Sequence, residues 1–165
     1  MSDTTSLKRS FPPVVNPHVR VLVLGSLPGE ESLARSQYYA NPRNQFWRLI
    51  GEVVERDLAA LPYEARLEAL LACRVGLWDA VDSASRSGSL DAAIRGHKPN
   101  DLAALVQSLP DLRAIGFNGG TSARIGRKQL AQAAVAQVPL PSSSPAFTLP
   151  FADKRLAWLE LRRHL

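Results

Sequence analysis

Five short stretches carry side chains suited to a polar, planar ligand. They are GSLPG (25–29), QYYANPRNQFW (37–47), Trp78-Asp79, Asn118-Gly-Gly120 and Pro141-Ser-Ser-Ser-Pro145. Their chemistry is that of amides, hydroxyls, aromatic rings and one carboxylate. Such a set can stack a ring, hydrogen-bond its edge and hold one water. It is poorly suited to covalent catalysis, because a serine nucleophile needs an oriented base and none of His18, His97 or His164 falls in these stretches. GSLPG lacks the Gly-x4-Gly-Lys-Ser/Thr spacing of a phosphate loop and the Gly-x-Gly-x-x-Gly of a dinucleotide site. It also lacks the Gly-x-Ser-x-Gly elbow of the α/β-hydrolases. The histidines have no paired spacing of the metal-ligand type, so neither metal nor cofactor is expected.

The elements that must position these residues can be read from apolar runs and their punctuation. Strands are expected at 19–24, 75–81, 112–117 and 135–140, each a short apolar run of the kind buried on both faces of a parallel sheet. Helices are expected from about Asn44 to Arg56, Tyr63 to Cys73, Asn100 or Asp101 to Leu109, Thr121 to Ala134 and Ala152 to Arg163, with one further turn near 31–36. Residues 83–91 read as a polar loop with Gly88 in it. Strands alternating with helices predict an α/β fold, a three-layer α/β/α sandwich around a mostly parallel four-stranded sheet. Residues 1–18 read as an irregular lead-in and 19–165 as a single catalytic domain. In such sheets ligands bind beyond the carboxyl ends of the strands. Three of the five stretches begin where an expected strand stops, and Trp78-Asp79 lies near the end of the remaining one, 75–81.

With 165 residues, 45% hydrophobic and 21% charged, the chain is long and apolar enough for one full core rather than a disordered segment. A net charge of +5 favours an anionic partner, nucleic acid being the commonest. Cys73 stands alone, which excludes an internal disulfide and fits a reducing, cytoplasmic setting. No apolar stretch has a membrane-spanning length, no apolar signal core is seen at the N-terminus, and a monomer is expected.

A site of amides, hydroxyls and aromatics suits an enzyme that extracts a base from DNA and cuts its glycosidic bond. The motifs GSLPGEESL, QYYANPRNQFW, GLWDAV with RSGSLD, GFNGGTSA and LPSSSPA, in this order over about residues 19–160, resemble the uracil-DNA glycosylase superfamily, in particular its deoxyinosine (hypoxanthine) branch.

That resemblance implies roles. Gly25, Ser26, Leu27, Pro28 and Gly29 would line the base pocket. Many relatives carry an Asp or Asn in this loop, whereas this chain has Ser26, Leu27 and Pro28. The catalytic amide would then be Asn44, with Asn41 the second candidate. Tyr39 would stack on the extruded base, and Asp79 and Asn118 would complete the pocket. Ser142, Ser143, Ser144 and Pro145 match the second motif without its usual His. Ala146 and Phe147 fall where an apolar wedge enters the DNA stack. Arg43 and Lys154, with Arg86 and Arg155, would supply cationic support on the DNA side. The implied activity is excision of a deaminated base, hypoxanthine first, without lyase chemistry. The alternatives are a mismatch-type uracil glycosylase and a non-catalytic DNA- or nucleotide-binding module. Each residue also has a plain reading: Asn44 as a helix cap, Tyr38 as packing, Asp79 and Asn118 as turn residues.

Overall fold

A computed structural model describes residues 6–86, 89–91 and 94–165, leaving aside the side chains of Ser6, Ser85 and Arg86. The Arg86 guanidinium and Gly88 of the expected polar loop therefore lie outside the described structure.

Four parallel strands form the main sheet: β2 (Val21–Gly25), β3 (Val75–Asp79), β6 (Ala114–Asn118) and β7 (Ala136–Leu140), in the order β3-β2-β6-β7. Their alternate residues enter two cores. Val21, Val23, Val75, Leu77 and Ala114 face one layer of helices, α2 (Phe46–Val54), α3 (Tyr63–Ala72) and α6 (Phe151–Trp158). Leu22, Leu24, Ile115 and Phe117 face the other, α4 (Leu102–Gln107) and α5 (Gly120–Gln129). Burial on both faces explains why the strands read as unbroken apolar runs. The expected three-layer α/β/α sandwich is the fold observed. Pro139 sits on the edge strand β7, where a missing N–H disrupts no inner ladder.

The sequence pattern predicts one sheet, and the structure has a second, three-stranded one. The expected strand 75–81 breaks at Ala80, and β4 (Val81–Arg86) continues beyond it. β4 pairs antiparallel with β1 (Ser6–Arg9) on one side and β5 (Arg95–Pro99) on the other. Residues 6–9 of the lead-in, expected to be irregular, thus form a strand, and Val14 also bridges Leu77 of the main sheet. These strands hide in the sequence because Ser-Leu-Lys-Arg and Arg-Gly-His-Lys-Pro have no apolar alternation. Backbone pairing, with Ala84 as an inward anchor, holds them.

Helix α2 starts two residues later than expected. Asn44 stands ahead of it, its side-chain Oδ1 accepting from Phe46 N at 2.9 Å. α1 (Glu30–Arg35) is a short helix that begins directly after Gly29. Asp101 caps α4 by accepting from Ala104 N at 3.1 Å, as its position predicts.

Candidate active site at the strand ends

Register brings the singled-out residues to one edge. Gly25 pairs with Asp79, and Asn118 pairs with Leu140, which leads into the serines. A β-carbon on Gly25 would lie 2.6 Å from Asp79 Oδ1 and 2.7 Å from Tyr39 Oη. Only glycine allows the carboxylate and the phenol to approach the end of β2 this closely. Gly25→Ala is expected to displace one or both groups, cost about 1–3 kcal/mol through overpacking and reduce activity more than stability suggests. Thermal unfolding and single-turnover kinetics on the same sample check this.

The GSLPG loop is tied to the β3–β4 junction. Gly25 O accepts from Ala80 N at 2.7 Å and Ser26 O from Val81 N at 3.0 Å. Ser26 Oγ donates to Asp91 Oδ1 at 2.6 Å, and Ser89 Oγ accepts from Glu30 N at 2.9 Å. The loop after β4 thus folds back over this motif. Ser26, Leu27 and Pro28 are buried, so the loop is a packed floor rather than a free connector.

Tyr39 is partly buried and holds φ at +54°, a left-handed conformation rare for a bulky residue. Its ring stacks on Phe46, with centroids 4.0 Å apart and planes at 21°. Phe46 packs edge-on against Trp47 and Trp158. Burial, and after it the charge of Asp79, pushes the Tyr38 and Tyr39 phenols far above the ordinary phenol range, so both remain neutral. Tyr38 donates from its Oη to Pro12 O at 3.0 Å, a packing role.

Asn118 joins three of the strand-end groups. Its Nδ2 donates to Tyr39 Oη at 3.3 Å and to Ser143 Oγ at 2.9 Å, while its Oδ1 accepts from Ser143 N at 2.9 Å. Ser143 is 1% exposed, and its carbonyl accepts from Gln45 N at 3.0 Å. One chain of hydrogen bonds therefore runs from Tyr39 through Asn118 and Ser143 to the residue after Asn44. Asn44 N donates to Asn41 O at 2.9 Å, so the whole Asn41–Phe46 turn is fixed. Because Asn44 Oδ1 meets a backbone N–H, the amide orientation is set and its NH2 group is the one left for a ligand.

The serine loop is internally braced. Ser144 N donates to Ser142 Oγ, Ala146 N to Ser144 Oγ and Phe147 N to Ser144 O. Pro145, Ala146 and Phe147 are exposed, with Phe147 at 46% despite its size. Arg43 is exposed on the neighbouring loop. Lys154, expected on the DNA side, is 1% exposed. Its Nζ donates to Ser144 O at 3.3 Å and lies 5.5 Å from the Phe147 ring centroid, and burial lowers its pKa. Its role is to brace the loop from inside. The spacing Phe151, Lys154, Trp158, Leu161 marks one helical face and would have signalled this burial. Arg155 pairs with Glu52 at 3.0 Å, linking α6 to α2. Nothing local in the sequence marks Asp91 and Ser89, because their partners lie 65 and 59 residues away.

Among the described residues, no group of three or more His, Cys, Asp or Glu could hold a metal ion. No described helix is long and apolar enough to cross a membrane. The fold and edge together define an open α/β sheet protein whose strand ends gather aromatic and amide side chains.

Comparison with known proteins identifies the family. The model of the uracil DNA glycosylase superfamily matches residues 12–162. A hypoxanthine DNA glycosylase of Methanosarcina acetivorans is 38% identical over 158 residues, 96% of this chain and 99% of that protein. A hypoxanthine DNA glycosylase of Methanosarcina barkeri is 41% identical over 115 residues, 70% of this chain and 73% of that protein. The solution structure of a Methanosarcina acetivorans protein assigned to the uracil DNA glycosylases superposes with a TM-score of 0.85 at 38% identity, covering 96% of this chain and 98% of that one. The chain belongs to the uracil DNA glycosylase superfamily, as the motifs implied, and is an enzyme of that glycosylase class acting on DNA.

Proposed function

We propose that this protein extrudes a deaminated purine nucleotide from DNA and hydrolyses its N-glycosidic bond, with hypoxanthine the base removed. The observation that carries this reading is the pinned amide of Asn44, its oxygen committed to Phe46 N and its NH2 group available to donate. The GSLPG loop holds no acid or amide, and the serine motif no histidine.

In the reaction, the C1′–N9 bond breaks and its electron pair leaves with the base. Water adds its oxygen to C1′ and loses a proton, and the base anion gains one. An asparagine has no pKa suited to taking that proton. Asn44 therefore acts as a donor, stabilising negative charge as it develops. Tyr39, backed by Phe46, offers its other face to the extruded ring, a contact worth roughly 1–3 kcal/mol by analogy with single-strand binders. The Asp79 carboxylate, beside Gly25, is the acceptor for N1–H of hypoxanthine, a proton that adenine lacks.

Phe147 fills the gap left in the stack, with Arg43 and the serine loop holding the backbone. Phe147→Ala is expected to slow excision from duplex about tenfold and to leave single-stranded substrate nearly unaffected. Equal loss on both substrates would remove the wedge role. No lysine stands in the five motif stretches, which supports a hydrolytic reaction without Schiff-base chemistry and an intact abasic site as product. The enzyme acts as a monomer in the cytoplasm.

The test is strand incision after alkali, using duplexes with one deoxyinosine or one deoxyuridine. Cleavage at deoxyinosine is expected. Efficient cleavage at deoxyuridine with deoxyinosine untouched would overturn the hypoxanthine assignment in favour of the mismatch-type uracil enzyme.

A further inference from the structure

Beside Asn44 and Tyr39 lies a cavity of about 480 Å³ whose lining includes no residue of the GSLPG motif. It sits between this loop and the segment leading into α3. Arg35, Arg48 and Arg66 line it together with Asn41, Asn44 and Tyr63, and no carboxylate does.

Its hydrogen-bonding character is one-sided. Asn41 Oδ1 accepts from Arg43 N at 2.8 Å and Asn44 Oδ1 from Phe46 N at 2.9 Å, so both asparagines have NH2 groups to offer. Tyr63 Oη accepts from Tyr38 N at 2.9 Å, leaving its own proton for a ligand. The carbonyls of Ala59 and Leu61 are taken by the Arg66 guanidinium at 2.9 and 2.8 Å, and that of Tyr38 by Trp47 Nε1 at 3.3 Å. Among these groups the donors remain and the acceptors are taken, and Gln37 adds a side-chain amide of both kinds. Arg66 is fixed by these bonds and lies 5.3 Å over Trp47, so it contributes charge rather than reach. Arg48 is exposed and backed by the Phe151 ring at 4.1 Å, and Arg35 is exposed at the end of α1.

We infer that this cavity is a phosphodiester subsite that holds the DNA backbone next to the extruded nucleotide. A cavity rich in donors, cationic and free of carboxylates matches an anionic, acceptor-only group. Its shared wall, Asn44, couples the grip to the catalytic amide. The inference rests on the reading of the protein as a DNA glycosylase, and it adds Arg35, Arg48, Asn41 and Tyr63 to the DNA-binding residues.

The experiment measures binding to duplexes carrying an uncleavable 2′-fluoro-deoxyinosine, so that affinity is read apart from excision. One set has normal linkages, and another carries a single neutral methylphosphonate stepped along the target strand. The double variant Arg35→Gln/Arg48→Gln is compared with Arg113→Gln/Lys128→Gln, which removes the same charge at the opposite edge of the sheet. Wild type is expected to lose about tenfold in affinity when a linkage flanking the target is neutral, and its salt slope to fall by about 1. The Arg35/Arg48 variant should bind as weakly to normal DNA and be indifferent to that linkage, whereas the control variant should behave as wild type. Millimolar inorganic phosphate, at matched ionic strength, should compete no better than chloride. Free phosphate that displaces DNA selectively from wild type would instead assign the cavity to a free anion and overturn the DNA-backbone assignment. Equal sensitivity of wild type and the Arg35/Arg48 variant to the neutral linkage, or none in wild type, would also overturn it. If the linkage pattern appears but no base is ever excised from ordinary substrate, the subsite stands and the glycosylase reading falls.

Discussion

Asn44→Ala is expected to lower single-turnover excision of hypoxanthine by about 100- to 1000-fold, the usual effect of removing one positioned donor to developing charge. Its cost to stability is smaller, roughly 0.5–2 kcal/mol, because the side chain also accepts from Phe46 N at the start of α2. Asn44→Asp separates the two functions. A carboxylate still accepts from Phe46 N, and a negative charge at a helix start is favourable. It has no NH2 to donate. The Asp variant should therefore melt near the wild-type temperature and remain as inactive as the Ala variant. Near-normal excision by Asn44→Asp would show that the residue works through its oxygen, by holding water, rather than as a donor.

Asn118→Ala is expected to be the most damaging single change to the crevice as a whole. It removes the donor to Tyr39 Oη and Ser143 Oγ and strips the buried Ser143 N of its acceptor. The stability loss is about 2–4 kcal/mol, read as a fall in melting temperature of roughly 5–12 °C. Activity should fall by about 100-fold even well below that temperature, because Ser143 also fixes Gln45, the neighbour of Asn44. The two readouts separate a positioning role from a merely structural one. A variant with a lowered melting point and full activity at low temperature would confine Asn118 to the fold.

Much of this arrangement is legible in the chain. The main sheet declares itself in unbroken apolar runs such as Val21–Leu24, and its two covered faces follow from them. The crevice declares itself because polar and glycine residues cluster where those runs stop. What stays hidden is geometry that depends on distant partners. Nothing local marks Asn118 as the tie between Tyr39 and Ser143, or Asp91 as the partner of Ser26. The left-handed backbone of Tyr39 leaves no trace in composition, since tyrosine rarely adopts it. The β1-β4-β5 sheet is silent for the opposite reason: its strands are short and polar and lack an apolar stripe. Lys154 illustrates a signal misread, a cation valued for its charge although its helical spacing with Phe151 and Trp158 places it inside.

The buried tie between Asn118 and Ser143 also gives the GSLPG loop its setting. Asp79 and Tyr39 both approach the space a side chain at Gly25 would fill, and Asn118 donates to the phenol there. Tyr39, Asn118, Ser143 and the Asn41–Phe46 turn are therefore parts of one hydrogen-bonded frame, so small displacements at one should be felt at the others.

The central claim is tested most directly by identifying the base released when excess purified protein is incubated with a duplex containing one deoxyinosine. Mass spectrometry of the small-molecule fraction should find free hypoxanthine, one per substrate strand, with the DNA left as an uncut abasic strand. Free uracil from a matched deoxyuridine duplex with no hypoxanthine from this one, or no released base from either, would contradict the account.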